Sequence, residues 1–292
     1  MASVRNVWCS VLLWLRHNRV RLSLVGMAVL AVVATSISPT YASERVFINA
    51  KAAIVMDADT HKVLYAKNPD VPLYPASTTK LMTAILLVTH LNPDDKVYIS
   101  PEAARQPRVR LGLKSGTTIT AEQALHAIIM KSANDVAYAV AQTVGGSQQG
   151  FARMMNLKAG LIGCRRTNFV TPNGLHDDAH QTTARDVALI TAEAIKYPRI
   201  VAVMQTKEYQ IAGIPFRNGN RMLYVDNPSY GTLIGGKTGF TSKAMFCLAL
   251  AAKQHEHTRV SVVLGAPRKS FMYRETRRLL EFANKEKPVQ IV

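Results

Sequence analysis

The stretch from Tyr74 to Val88 reads YPASTTKLMTAILLV. From Leu81 onward it is apolar on almost every side, and this pattern predicts a helix that is buried all round. Two prolines end the preceding segment, so we expect the helix to begin near Ser77. Ser77 and Lys80 then lie on its first turn, three residues apart on one face, at the positive end of the helix dipole. This buried helix is predicted to be the central element of the fold.

Predicted strands occur on both sides of this helix in the chain. Residues 52–56 and 62–65 predict a hairpin, and the sequence from a capping box at Thr120 to Pro198 predicts a series of helices. The pattern beyond this region predicts strands over 203–211, 221–225, 233–241, 245–252 and 259–265. A last helix is expected over 269–284. We therefore expect an α+β fold, in which an antiparallel sheet built from both ends of the chain carries helices on both faces and an α-helical lobe.

The first 42 residues predict an export signal. Four arginines precede an apolar run over 22–34, and the string ending at Ala42 offers the small residues that a signal peptidase reads. The run is shorter than a membrane span of about 18 residues. We expect cleavage after Ala42 and a periplasmic location, with retention as an anchor as the alternative. Residues 43–292 are then expected to form a single domain without a C-terminal second domain, because only 55 residues follow Lys237.

The net charge and the cysteine content indicate in what surroundings the protein works. The net charge is +17, and removal of the signal leaves 32 Lys and Arg against 19 Asp and Glu. Such a charge favours polyanionic surroundings, for example lipid head groups or wall polymers. No ladder of aromatic residues accompanies the basic ones, so nucleic acid is not expected as a partner. Cys164 and Cys247 remain after the signal; they could pair in an oxidising compartment, although their apolar context favours buried free thiols.

Ser77 and Lys80 have the chemistry of a nucleophile and its base. A serine hydroxyl is a weak nucleophile that needs a neighbouring proton acceptor. A buried lysine close to other cations loses its proton near neutral pH, so Lys80 can serve as that acceptor. Apolar residues surround Lys80 in the sequence, which disfavours the alternative of an exposed lysine at an ordinary helix start.

Two further strings supply polar side chains for the same reaction. Ser132 and Asn134 lie in a predicted connection between two helices, where side chains can point into a cleft. There Ser132 could relay a proton to a leaving nitrogen, and Asn134 could hold a substrate amide. The string Lys237-Thr238-Gly239 lies on a predicted strand edge after two glycines, where a ligand can approach the backbone. Lys237 and Thr238 would there bind a terminal carboxylate.

The three strings, in this order, resemble the low-molecular-weight penicillin-binding proteins, the D-alanyl-D-alanine peptidase family of serine enzymes. The resemblance covers about residues 52–265. Its connecting strings are YPA at 74–76, KSAND at 131–135, TPNGL at 171–175 and TARD at 183–186. It implies a fold like that of DD-peptidases and β-lactamases. It also implies that Ser77 is acylated by the penultimate D-Ala carbonyl, with Lys80 as base and Ser132 as proton relay. The backbone N–H groups of Ser77 and Phe240 would hold the oxyanion.

Within the family, the chain resembles the short periplasmic D,D-endopeptidases, which cut D-Ala–meso-diaminopimelate cross-links. Phe240 stands where many carboxypeptidases have histidine, and no second β-rich domain or C-terminal amphipathic helix is recognised. The strings FRN at 216–218 and RVRL at 108–111 also resemble that branch. The resemblance implies a penicillin-sensitive serine D,D-peptidase that acts on peptidoglycan stem peptides or cross-links. It needs no cofactor, β-lactams are covalent inhibitors, and wall synthases or hydrolases are candidate partners.

Three alternatives compete with this hypothesis. A class A β-lactamase would need a deacylating glutamate in an E-x-x-L-N string, which the sequence lacks. His176 and His180 are spaced like zinc ligands, but their segment follows a proline and a glycine and is predicted to be a loop, so no metal is expected. The remaining alternative is a β-lactam-recognising or wall-binding protein without significant turnover, positioned by its basic charge.

Overall fold

The computed structural model describes residues 46–226 and 228–285. The strands of this part are β1 (Ala52–Asp57), β2 (Val63–Lys67), β3 (Lys96–Tyr98), β4 (Thr118–Thr120), β5 (Glu208–Ile211), β6 (Ile214–Arg217), β7 (Thr232–Thr241), β8 (Met245–Gln254) and β9 (His257–Ala266). Five of them form one antiparallel sheet in the order β2-β1-β9-β8-β7. The first two and last three strands therefore meet in one sheet, and β7 is an edge strand. The pairs β3–β4 and β5–β6 are separate small ribbons.

The α-helices of the same part are α1 (Lys80–His90), α2 (Pro101–Ala104), α3 (Ala121–His126), α4 (Asn134–Gly145), α5 (Gln148–Ile162), α6 (Ala184–Ala194), α7 (Pro198–Gln205) and α8 (Lys269–Lys285). A 3-10 turn, Ala76–Thr79, leads into α1, and a π-helical turn, Ala127–Lys131, follows α3. From Leu81 to Leu87, α1 is buried on every side, as the sequence predicts.

The central sheet is covered on both faces. Side chains of a strand alternate between faces, and neighbours on β1 illustrate this: Ile54 belongs to the core that includes α1 and α6, whereas Val55 belongs to the core under α8. Helices α2 to α5 pack on one another or on α1, and they form the helical lobe. The predicted α+β fold, with an antiparallel sheet, helices on both faces and a helical lobe, is confirmed.

One predicted strand is wrong, and another is confirmed only in its second half. The segment 203–211 is divided between helix α7 and strand β5, because Pro198 occupies the first turn of a helix whose apolar residues lie on one face. The segment 221–225 contains a 3-10 turn, Arg221–Tyr224. Asn220 caps the start of this turn, because its side-chain oxygen accepts a hydrogen bond from the Met222 N–H. In addition, α1 begins at Lys80 rather than at Ser77, and Asn134 opens α4 rather than lying in a connection. The last three predicted strands and the final helix are confirmed.

The structure bears on the cysteines but not on the predicted signal. The predicted signal, residues 1–42, lies outside the described residues. Across the described ranges, no helix has both the length and the apolar character needed to cross a bilayer. Cys164 and Cys247 are free thiols, and burial raises the pKa of each to about 12.

Candidate active site

The amine of Lys80 is buried beside the hydroxyl of Ser77. Lys80 Nζ lies 3.0 Å from Ser77 Oγ, 2.8 Å from Asn134 Oδ1 and 2.7 Å from the carbonyl oxygen of Asn173. The side chain is fully buried. Burial, reinforced by the nearby Lys237 cation and partly opposed by Asp135, holds the pKa of Lys80 well below its usual value.

These three contacts can also serve the neutral amine, the form that the lowered pKa of Lys80 favours, with its lone pair on the serine. A neutral lysine amine has two N–H donors and one lone pair. Asn134 Oδ1 and the Asn173 carbonyl can only accept, so they take the two N–H groups. Once the amine is neutral, its lone pair can face the third neighbour, the Ser77 hydroxyl, which then donates to it. This arrangement can remove the hydroxyl proton as the oxygen attacks an electrophile.

Ser132 lies at a strained point between the π-helical turn and α4. Its backbone is left-handed, with φ 64° and ψ 34°, which is uncommon for a residue other than glycine. Lys237 Nζ lies 3.0 Å from Ser132 Oγ and 3.0 Å from the Thr238 carbonyl oxygen. Lys237 is only 2% exposed, and burial lowers its pKa to about 7. A hydroxyl and a titratable amine are thus in direct contact beside the Ser77–Lys80 pair.

Asn134 connects this centre to the wall of the cleft. Its Oδ1 faces Lys80, its Nδ2 donates to the Pro107 carbonyl at 3.1 Å, and its backbone N–H donates to the Val109 carbonyl at 2.8 Å. The buried Asp135 carboxylate accepts from the next N–H groups of the same wall segment, those of residues 111 and 112. Both ends of the Asn134 amide are therefore engaged, and each end retains the capacity for one further hydrogen bond, for example with a substrate amide.

Thr238 and Gly239 of the K-T-G string line an open groove of about 380 Å³, whereas the buried Lys237 does not line it. The residues that line it are Ser77, Val109, Met130, Lys131, Ser132, Gly219, Thr238, Gly239, Phe240, Phe246, Lys269, Met272 and Tyr273. The Phe240 ring packs 4.4 Å from that of Phe246, centroid to centroid, yet remains 57% exposed. The groove thus brings Ser77, Ser132, Thr238, Gly239 and Phe240 to a common surface.

The lining of the groove is cationic. It contains Lys131 and Lys269 and no Asp or Glu. Neither lysine forms an ion pair with any residue in the described ranges. An anionic ligand would therefore meet two uncompensated positive charges there.

Sequence reasoning missed the residues that hold the lysine amine in place. Asn173 acts through its carbonyl oxygen, so its side-chain type gave no signal, although the Pro-Asn-Gly turn around it marks a fixed backbone. His180 is buried and contacts Thr79, the neighbour of Lys80. His176 instead packs edge-on against the Tyr74 ring. The described residues include no group of three His, Cys, Asp or Glu side chains placed to hold a metal ion.

Comparisons with known proteins agree with this geometry. The family model for D-alanyl-D-alanine carboxypeptidases matches residues 38–268. The D-alanyl-D-alanine carboxypeptidase DacF of Bacillus subtilis is 33% identical over 244 residues, which are 80% of this chain and 62% of that protein. The D-alanyl-D-alanine endopeptidase of Escherichia coli is 31% identical over 243 residues, 80% of this chain and 76% of that protein. The chain spans about three fifths of the length of the first curated carboxypeptidases that it matches.

Solved structures show the same fold. Penicillin binding protein 6B from Escherichia coli superposes with a TM-score of 0.78 at 28% sequence identity, covering 87% of this chain and 83% of that one. Penicillin binding protein 5 from Haemophilus influenzae superposes with a TM-score of 0.76 at 30% identity, covering 81% and 71%.

Proposed function

The chain belongs to the D-alanyl-D-alanine carboxypeptidase family, and from this premise we propose that it is a penicillin-sensitive serine D,D-peptidase. Its substrates would be peptidoglycan stem peptides or the D-Ala–diaminopimelate cross-links between them. One observation carries the proposal: the buried Lys80 amine lies 3.0 Å from Ser77 Oγ and also contacts two fixed acceptors, Asn134 Oδ1 and the Asn173 carbonyl.

The proposed reaction begins with acylation of Ser77. Lys80 takes the hydroxyl proton as Ser77 Oγ bonds to the carbonyl carbon of the penultimate D-Ala. The backbone N–H groups of Ser77 and Phe240 face the developing oxyanion. As the C–N bond breaks, Ser132 donates its proton to the leaving nitrogen and is reprotonated through the adjacent lysines. Water then attacks the acyl-serine, which releases the shortened peptide and restores the Ser77 hydroxyl.

The groove supports a substrate that carries carboxylates on the leaving side. Lys237 and the Thr238 hydroxyl would hold the carboxylate next to the scissile bond, and Lys131 and Lys269 add positive charge to the same groove. The exposed Phe240 ring lines the same groove. The resemblance of the K-T-G-F-T string at 237–241 to the short D,D-endopeptidases favours the endopeptidase reaction over removal of a single terminal D-Ala.

The wider setting is part of the same proposal. Residues 1–42 would direct export to the periplasm and be removed after Ala42, and residues 43–292 would form the one peptidase domain. The strongly basic composition, with a net charge of +17, suits a protein that works beside anionic wall and membrane polymers. Wall synthases and hydrolases are the candidate protein partners, and β-lactams are expected to acylate Ser77 and leave slowly.

The test uses a purified muropeptide dimer that carries one pentapeptide end. The dimer is incubated with the protein and, separately, with Ser77→Ala, and products are weighed by mass spectrometry. Two monomers establish the endopeptidase, whereas loss of one alanine from an intact dimer establishes a carboxypeptidase. An unchanged dimer, together with Ser77-independent binding to sacculi, would support a wall-binding protein instead.

A further inference from the structure

A buried histidine lies behind the Ser77–Lys80 pair, outside the groove. His180 is 1% exposed. Its Nδ1 lies 3.0 Å from the backbone nitrogen of Val170 and 3.1 Å from that of Thr171, and its Nε2 lies 3.0 Å from Thr79 Oγ1. Thr79 is the last residue of the 3-10 turn Ala76–Thr79, hereafter the serine turn, and directly precedes Lys80. His180 therefore touches both the turn that carries the nucleophile and the loop that faces it.

These contacts fix the tautomer of the ring. Backbone N–H groups can only donate, so Nδ1 must be an unprotonated acceptor for the two of them. The proton then resides on Nε2 and is donated to the Thr79 hydroxyl. Burial lowers the pKa of His180 to about 4, and the nearby Lys80 acts in the same direction while Asp177 opposes both. The His180 ring is therefore neutral at all pH values well above about 4, including neutral pH.

The loop that His180 holds is the one that orients Lys80. Two residues after Thr171, the Asn173 carbonyl accepts from Lys80 Nζ at 2.7 Å. The loop is also pressed against the serine turn, since a Cβ on Gly174 would lie 1.9 Å from the Ala76 carbonyl oxygen. Thr83 Oγ1 on α1 donates to the Pro172 carbonyl at 2.5 Å. A shift of the loop by a fraction of an ångström would therefore move the acceptor that directs the lysine amine.

We propose that His180 is a positioning residue for acylation: as an Nε2–H tautomer it ties residues 170–174 to Thr79, so that the Asn173 carbonyl holds the Lys80 lone pair on the Ser77 hydroxyl. The inference rests on the proposed acylation of Ser77. His180 does not touch the substrate, and it is absent from the groove lining. Its loss should therefore slow bond formation at Ser77 and leave binding in the groove unchanged.

The experiment separates these two quantities with a fluorescent penicillin, by fitting the binding constant and the first-order acylation rate constant at each pH. His180→Leu removes both contacts. His180→Gln keeps an acceptor and a donor on one planar group. His126→Leu is the matched control, because His126 is a second buried histidine that lies on α3 and contacts the Glu122 carbonyl and the Tyr209 ring.

We expect His180→Leu to acylate about 10- to 100-fold more slowly, the scale of loss for a reacting group misplaced by about 1 Å, with an unchanged binding constant. The acid limb of the rate should move to higher pH, because a loosened loop admits water to Lys80 and its pKa rises. His180→Gln should restore most of the rate, and His126→Leu should change only the melting temperature. Folded His180→Leu with the wild-type rate and pH limb would overturn the inference, as would a His180→Gln variant no better than His180→Leu.

Two arms keep the test decisive. If His180→Leu does not fold, Thr79→Val takes its place, since it removes only the hydroxyl that accepts from Nε2; an unchanged acylation rate in that variant overturns the proposal. The wild-type protein, run in parallel, reports on the proposed function itself. Failure of the wild type to be acylated at Ser77 would reject the peptidase, whereas a wild-type reaction that is insensitive to His180 rejects only the positioning role.

Discussion

Gly239 and Ser77 approach each other so closely that a Cβ on Gly239 would lie 2.9 Å from the backbone nitrogen of Ser77. The same atom would lie 3.1 Å from the Ala76 Cβ and from the Pro75 carbonyl oxygen. Glycine in the K-T-G string is thus a requirement of the contact between strand β7 and the serine turn. This contact places the Ser77 N–H beside the strand that carries Phe240, the second N–H proposed for the oxyanion.

Gly239→Ala is therefore expected to separate the strand from the turn. The new Cβ would meet backbone atoms of Ser77 and Pro75, which no side-chain rotation can move away, so strand β7 must shift. The N–H groups of Ser77 and Phe240 would then no longer point at the same oxyanion. Removal of one oxyanion donor costs about 100- to 1,000-fold in rate in a known serine peptidase. We expect Ser77 acylation by a fluorescent penicillin to fall by about 100-fold or more.

The matched control is Gly160→Ala, in helix α5, where a Cβ would meet no atom within 4 Å. It should stabilise the fold by up to about 1 kcal/mol, because alanine is the better helix former. Acylation at the wild-type rate by Gly239→Ala would contradict the proposed oxyanion site.

The Ser77–Lys80 pair could be predicted from sequence because its spacing is local: three residues on one helical turn share a face whatever the rest of the fold does. Asn173 and His180 could not, because their contacts with Lys80 and Thr79 join segments about 100 residues apart. The error over 203–211 has another cause. Short apolar runs fit both a helix and a strand, and Pro198, placed at the end of the previous helix, in fact begins α7.

Asp135 is expected to be essential for the wall of the cleft. Its carboxylate accepts from the backbone N–H groups of Leu111, Gly112 and Val136 and is fully buried. In Asp135→Asn, the amide NH₂ faces N–H donors and leaves at least one of them without an acceptor. We expect a loss of about 2–4 kcal/mol in the free energy of unfolding by urea.

The same variant should also acylate more slowly, because the segment that Asp135 holds contacts Asn134 and lines the groove at Val109. Asp94→Asn, an exposed carboxylate in a turn, serves as the control and should change neither quantity. Equal unfolding curves for the two variants would show that the wall does not depend on Asp135.

Lys237 is predicted to lower stability at neutral pH while supporting activity. Its folded-state pKa, about 7, is below the unfolded value near 10.5, so between these values the unfolded chain binds more protons than the folded one. The free energy of unfolding should therefore rise with pH from about 7 to about 10.5. Lys237→Met should weaken this slope and gain about 1–3 kcal/mol at pH 7, since it removes a buried titratable group.

Activity should respond in the opposite direction. The value of kcat/KM for a peptide with a free terminal carboxylate should decline as pH rises above about 7, because the cation beside Thr238 is lost. Lys237→Met should be inactive throughout. A destabilised Lys237→Met, or a stability curve that falls between pH 7 and 10, would contradict the assigned direction of the shift.

Lys131 and Lys269 are expected to select anionic peptides. Each is unpaired within the described ranges and lines the groove that contains Ser77 and Thr238. Lys269→Glu should raise KM for a cross-linked dimer with free carboxylates by about 3- to 10-fold at low salt, the scale of one reversed charge a few ångströms from another near a protein surface. The effect should shrink at 0.5 M salt, where screening is strong, and kcat should change little.

The control must carry the same change in net charge at a distance from the groove. Lys253 is exposed at the other end of β8 from Phe246, about 24 Å away along the strand, so Lys253→Glu alters the overall charge alone. If both variants raise KM equally, attraction is a property of the whole basic protein. If only Lys269→Glu and Lys131→Glu do so, and only for dimers whose carboxylates are free rather than amidated, the groove itself recognises the charge of the leaving strand.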